Sequence, residues 1–111
     1  MSAYKDIIIT TIIKSPRANK KWMFVFEYTM NGVMHKKTVH FGHPAYSDYT
    51  IHKDYKRMLR YQTRHAGDNL DDPFSAGSLS WYVLWTSPTF EGGLRNYLKR
   101  FNIKNKAKVS V

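Results

Sequence analysis

The clearest pattern in the chain is a run of period two. Trp22, Phe24, Phe26, Tyr28 and Met30 alternate with Lys21, Met23, Val25, Glu27 and Thr29, as a half-buried strand requires. Asn31-Gly32 follows, a pair suited to the positive φ values of a two-residue type I′ hairpin turn. The return strand is Val33 to Phe41. A two-residue turn fixes the register, so Trp22 faces Phe41, Phe24 faces Val39 and Glu27 faces Lys36. Turn and hydrophobic pattern agree. Lys37, opposite Phe26, is the one discordant position, and its stem would cover the ring from the sheet rim with its charge in water. Upstream, Lys5 to Lys14 is dense in β-branched residues and predicts a strand covered on both faces. Ser15 to Lys20, with Pro16 and Asn19, predicts a turn.

Beyond Phe41 the period changes. Gly42 to Thr50 predicts a long loop, and long ordered loops often carry function. Ile51 to Ala66 predicts a helix capped by Asp48 or Thr50 and stopped by Gly67, with Ile51, Tyr55, Met58, Leu59 and Gln62 turned inward. A second helix starts at Asp72-Pro73. It is apolar nearly all round from Ala76 to Trp85, which predicts the central buried helix. A third follows Ser87-Pro88 and carries Phe90, Leu94, Tyr97, Leu98 and Phe101 along one stripe. Gly92-Gly93 weakens its first turns, which implies a close backbone approach there. The expected architecture is one α+β domain over residues 1–102, a three-stranded antiparallel sheet packed against three helices. A basic C-terminal tail occupies 103–111, with a late edge strand as its alternative reading.

Composition narrows the function classes. The chain has 111 residues and no cysteine, which excludes disulfides, thiolate nucleophiles and Cys-ligated zinc. Eighteen Lys+Arg against eight Asp+Glu give a formal charge of +10. The hydrophobic fraction of 42% is too high for a disordered chain. The N-terminal residues lack the apolar stretch of a signal peptide, and Ile7 to Ile13 is too short to cross a bilayer. A soluble protein of the cell interior is the expectation, with no membrane partner.

The positive charge is densest on the first predicted helix. Lys53, Arg57, Arg60 and Arg64 are spaced by four, three and four, with Lys56 beside them. Arg95 and Lys99 lie one turn apart on the third helix, flanked by Arg100. A line of guanidinium groups can meet successive backbone phosphates, each contact releasing a counterion. The rival reading is a solvated or protein-facing surface. In the loop, Tyr46, Asp48, Tyr49 and His52 are candidate contacts. Tyr46, Tyr49 and Tyr61 are candidates for stacking on bases, although folding back over the hairpin competes with that role.

His40, His43, Asp48, His52, Asp54 and His65 cluster in sequence but match no metal-ligand signature. A small metal-dependent nuclease using His52, Asp54 and His65 is therefore a third reading only. There is no Ser-His-Asp arrangement, no phosphate-cradling Gly-rich loop and no dinucleotide fingerprint. No catalytic residue, metal, cofactor or small-molecule substrate is expected.

Val39-His40-Phe41-Gly42, then Tyr46-Ser47-Asp48-Tyr49-Thr50-Ile51-His52-Lys53-Asp54, then Arg57, Tyr61 and Arg64-His65 form a distinctive run. Asp72-Pro73, Ala76-Gly77, Leu79-Ser80, Trp81, Leu84-Trp85 and Pro88 extend it. With these residues the chain, from about Lys21 to Phe101, resembles a family of small uncharacterised proteins of nucleocytoplasmic large DNA viruses, algal and giant viruses among them. The resemblance implies a viral protein made in the infected cell and packaged in the virion. It carries over no reaction and no catalytic residue. The expected function is a non-enzymatic virion component that binds nucleic acid, viral DNA first, through backbone phosphates. The alternative is a minor capsid or scaffold protein that meets acidic coat-protein surfaces.

Overall fold

The computed structural model describes residues 4–107. Three strands come first: β1 (Lys5–Lys14), β2 (Trp22–Met30) and β3 (Val33–Phe41). The β2–β3 hairpin turns at Asn31 (φ 54) and Gly32 (φ 76). Its register matches the sequence expectation, with Trp22 opposite Phe41, Phe24 opposite Val39, Phe26 opposite Lys37 and Glu27 opposite Lys36. Lys37 is exposed, while Phe26 is fully buried.

β1 pairs antiparallel with β2 but with two shifts of register, between Lys5 and Ile8 and between Ile9 and Thr11. Each shift inserts one extra residue, as β-bulges do. Asp6 takes a left-handed φ of 52 in the first. In the second the Thr10 hydroxyl donates to the Val25 carbonyl. The bulges change which residues face inward, so Ile7, Ile9 and Ile12 are buried while Ile8, Thr10, Thr11 and Ile13 are half-buried. One face of β1 is core, which corrects the expectation of a strand covered on both faces.

Five short helical segments follow: α1 (Tyr49–His52), α2 (Tyr55–His65), α3 (Ala76–Leu79), a π-helical turn at Ser80–Leu84 continuing α3, and α4 (Phe90–Phe101). The first expected helix is thus broken in two. Asp48 caps α1 by accepting from Thr50 N, and Asp54 caps α2 by accepting from Arg57 N. Two capping carboxylates six positions apart start two helices, with Lys53 in the left-handed region (φ 56) between them. α2 ends at His65 with Ala66 as C-cap, so Gly67 is not the left-handed terminator expected of it. α3 is capped by Ser75, while Asp72-Pro73 forms the turn before it, the Asp72 carboxylate accepting from Phe74 N. α4 is capped by Thr89, two residues after the Ser87 start signal.

Residues 104–105 follow the alternative reading, a late edge strand, rather than the basic tail. Lys104–Asn105 forms β4, which pairs in parallel with Ile8 and Ile9, and Lys106 N donates to the Ile9 carbonyl. The sheet is therefore mixed and four-stranded, in the order β3-β2-β1-β4. Asn102 (φ 55) turns the chain out of α4, and Ile103 is buried. The segment read as a tail is held on the sheet up to Lys106. The last of its lysines, Lys108, lies outside the described residues.

The inner sheet face packs against the helices through aromatic contacts. Phe24, Phe26 and Phe41 are fully buried, and Phe74 sits edge-on to Phe26 with ring centroids 5.1 Å apart. The buried Tyr97 hydroxyl donates to the Pro73 carbonyl and ties α4 to the loop before α3. Gly93 explains the glycine pair: a Cβ there would stand 2.1 Å from the Val83 carbonyl oxygen, so α4 crosses the π-helical turn in near backbone contact. The central position expected for the Ala76–Trp85 segment is the one seen, with Leu79, Val83, Leu84 and Trp85 buried.

Candidate functional site: a basic cleft beside α2

The loop leaving β3 starts at Gly42, whose φ is 78. A Cβ there would meet Lys21 Cβ at 3.0 Å and Leu84 at 3.2 Å, so glycine fits both the conformation and the space. Within the loop, His43 accepts from Ala45 N through Nδ1, and Tyr46 N donates to the His43 carbonyl. These bonds fix Tyr46, 71% exposed, beside the His43 ring with centroids 5.1 Å apart. Asp48 closes the loop. It is 2% exposed, and its carboxylate is fully engaged by Thr50 N, the Thr50 hydroxyl and Lys21 Nζ, the last at 2.6 Å.

α2 presents Met58, Tyr61, Gln62 and His65 toward the protein, whereas Ile51, Tyr55 and Leu59 are exposed. The inward face expected from sequence holds at Met58 and Gln62 and is corrected at Ile51, Tyr55 and Leu59. Tyr61 takes the place of that face, stacked on Trp85 at 4.1 Å with ring planes 2° apart. His65 stacks on Tyr61 at 4.2 Å, and Gln62 Nε2 donates to the Trp85 carbonyl. Burial pushes the Tyr61 hydroxyl up to about 12, so it stays neutral.

With α2 set at this angle, Arg57 and Arg64 line a cleft of about 450 Å³ between the loop and α2. Lys21, Tyr46, Tyr61, His65, Ser80 and Trp85 contribute to its walls. The volume falls within the roughly 300–1,000 Å³ of small-molecule sites. Its one carboxylate, Asp48, is neutralised by Lys21, while Arg57 and Arg64 have no acidic partner among the described residues. The cleft therefore carries uncompensated positive charge.

The other candidate residues separate clearly. Arg60 and Lys56 are exposed on α2 and unpaired among the described residues. Lys53 leaves the helical line, because it sits at the α1–α2 break with its ammonium donating to the Pro88 carbonyl at 2.6 Å. Arg95 and Lys99 are exposed on α4, a different element, and Arg100 pairs with Asp71 at 2.8 Å. Tyr49 is a core residue and Tyr61 has both ring faces occupied, so neither can stack on a base. Asp48 is a cap and a buried ion-pair partner.

His52 is pinned: its Nδ1 accepts from Asp54 N, and its ring lies 5.3 Å from Trp85. Burial, and then the Arg57 charge, lower its pKa. Asp54 is held below its ordinary value chiefly by the Arg57 backbone N–H. His65 lies at the far end of α2, roughly 16 Å of helix rise away, and pairs with Asp68. His52, Asp54 and His65 are not brought together, and among the described residues no cluster of three His, Asp or Glu side chains could hold a metal ion. No helix among the described residues is long and apolar enough to cross a membrane.

A family model matches residues 10–65, from the second bulge of β1 to the end of α2. The chain belongs to a family of unknown function, DUF5754. The DUF5754 segment contains one side of the cleft, with Lys21, Tyr46, Asp48, Arg57, Tyr61, Arg64 and His65, while Ser80 and Trp85 lie outside it. No curated protein and no solved structure matches the chain.

Proposed function

We propose that this protein is a basic, non-enzymatic virion component that binds nucleic acid through its backbone phosphates, with α2 as the contact element. The observation that carries this reading is the state of three side chains. Arg57, Arg60 and Arg64 are exposed, fall within about 60° of one another around the helix, and meet no carboxylate among the described residues. Arginines freed from intramolecular partners in a chain of charge +10 favour a polyanion. Lys56 adds to the same element, and Arg95 and Lys99 offer a second, separate contact. The resemblance to proteins of large DNA viruses makes the viral genome the first candidate.

The test is a fluorescence-anisotropy titration on duplex and single-stranded DNA over a range of salt concentrations. Binding that weakens steeply with salt and drops when Arg57, Arg60 and Arg64 are together changed to alanine supports the reading. Absence of binding at low salt, or binding indifferent to the triple change, overturns it.

A further inference from the structure

We infer that the cleft beside α2 takes one unpaired nucleotide of a single strand, its base on Tyr46 and its two flanking phosphates on Arg57 and Arg64. This rests on the nucleic-acid reading above and adds a preference that a line of surface arginines alone would not have. Three features of the cleft lead to it.

The first is charge placement. Arg57 and Arg64 stand two helical turns apart, about 10 Å between Cα atoms. That separation suits successive phosphates of one strand better than a single phosphate. Lys21 and Asp48 cancel, so the two arginines set the sign of the cleft.

The second is the supply of ring faces. Trp85, Tyr61 and His65 form a closed stack whose central ring is covered on both sides. Tyr46 is 71% exposed, and His43, an exposed ring tilted against it, holds its loop in place. An exposed aromatic, fixed opposite cations, is the element on which single-strand binders stack bases without reading sequence.

The third is polar capacity and room. Ser80 lines the cleft, and its hydroxyl is a donor and acceptor of the kind a base edge or sugar can meet. The volume exceeds what one phosphate needs. A duplex cannot place a paired base there without flipping it from the stack.

The experiment compares labelled octathymidylate, a duplex of equal length and free thymidine monophosphate as competitor. It uses the full chain and its Tyr46→Ala and Tyr46→Trp variants. Tyr46 is exposed, so neither change disturbs the core. The expected result is a loss of about five- to hundredfold for octathymidylate with Tyr46→Ala, and less than twofold for the duplex. Tyr46→Trp keeps single-strand affinity, and its emission is quenched by the oligonucleotide. The monophosphate, with one phosphate, competes at least tenfold more weakly than the oligonucleotide.

Equal effects of Tyr46→Ala on both substrates, or no effect on octathymidylate, overturn the inference. So does a monophosphate that competes as well as the oligonucleotide. If duplex binding still depends on the three arginines, the backbone reading survives that failure. If no nucleic acid binds, both fall.

Discussion

Lys21 Nζ lies 2.6 Å from the Asp48 carboxylate, and the two side chains are only 12% and 3% exposed. Asp48 also caps α1 and accepts from Thr50, so one carboxylate joins the start of β2 to the loop and the first helix. Asp48→Ala removes the cap and leaves the ammonium without its partner. The expected cost is about 3 kcal/mol of unfolding free energy, read from urea denaturation. Lys21→Met costs less, because the carboxylate keeps its Thr50 donors. Equal costs for the two would show that the cap contributes nothing.

Gly93→Ala meets backbone rather than a movable side chain, since its Cβ would stand 2.1 Å from the Val83 oxygen. A loss of about 3 kcal/mol or failure to fold is expected, as for overpacked cores. Gly67→Ala is the control. Nothing lies within 4 Å of its added Cβ, and its effect should be neutral or stabilising by about 0.5 kcal/mol. Thermal unfolding of the two variants side by side separates close approach from a general intolerance of substitution.

Ile103 is 6% exposed and precedes β4. Ile103→Ala should cost about 2–4 kcal/mol, the range for a buried aliphatic side chain cut to alanine. Hydrogen exchange should show lowered protection at Lys106, whose amide donates to the Ile9 carbonyl. Unchanged stability would mean that the segment is not part of the core.

The acid limb of the stability curve has a stated sign. Burial and the Arg57 charge hold His52 below its ordinary value of 6.5, and burial with Arg17 and Lys20 does the same for His40. The unfolded chain therefore takes up these protons first. Stability declines as pH falls through 6.5 and levels off once the folded imidazoles protonate. His52→Gln should narrow the gap in Tm between pH 8 and pH 5. An unchanged gap would assign the acid sensitivity elsewhere.

If α2 meets phosphates, the salt dependence of binding counts the contacts. Changing Arg57, Arg60 and Arg64 to alanine should reduce the slope of log K against log salt by about 2–3. Lys53→Ala should leave the slope in place, because that ammonium is already bound to the Pro88 carbonyl. The comparison distinguishes cations turned to solvent from cations used inside the fold.

The hairpin was fully legible in the sequence because Asn31-Gly32 fixes a register that the aromatic alternation repeats independently. β1 was not, since bulges at Asp6 and Thr10 move its buried residues off period two. The break at Lys53 was hidden because lysine rarely adopts a left-handed φ; the second capping carboxylate, Asp54, was the available signal. β4 was legible only as the alternative reading of the basic tail, because two paired residues give little periodic signal and nothing in them names a parallel partner.

Of the cleft, Tyr46, Asp48, Arg57, Tyr61, Arg64 and His65 were already prominent in the sequence. His43 stood out only as one of the clustered histidines, and Lys21, Ser80 and Trp85 did not stand out as site residues, because they reach it from the turn before β2 and from the two ends of the π-helical turn. Only tertiary packing joins those elements, and helical spacing carries no trace of it.

The parallel pairing of Lys104 and Asn105 with Ile8 and Ile9 imposes an order on biosynthesis. A ribosome delivers the hairpin and its neighbouring strand long before the residues that seal the far border of that strand. Until they emerge, an Ile-rich margin stands open to neighbouring nascent chains, the circumstance in which strands pair wrongly. Such long-range closure also raises contact order and slows the final step of folding. Yield during rapid expression should therefore depend on chaperone supply more than the finished molecule's stability would suggest.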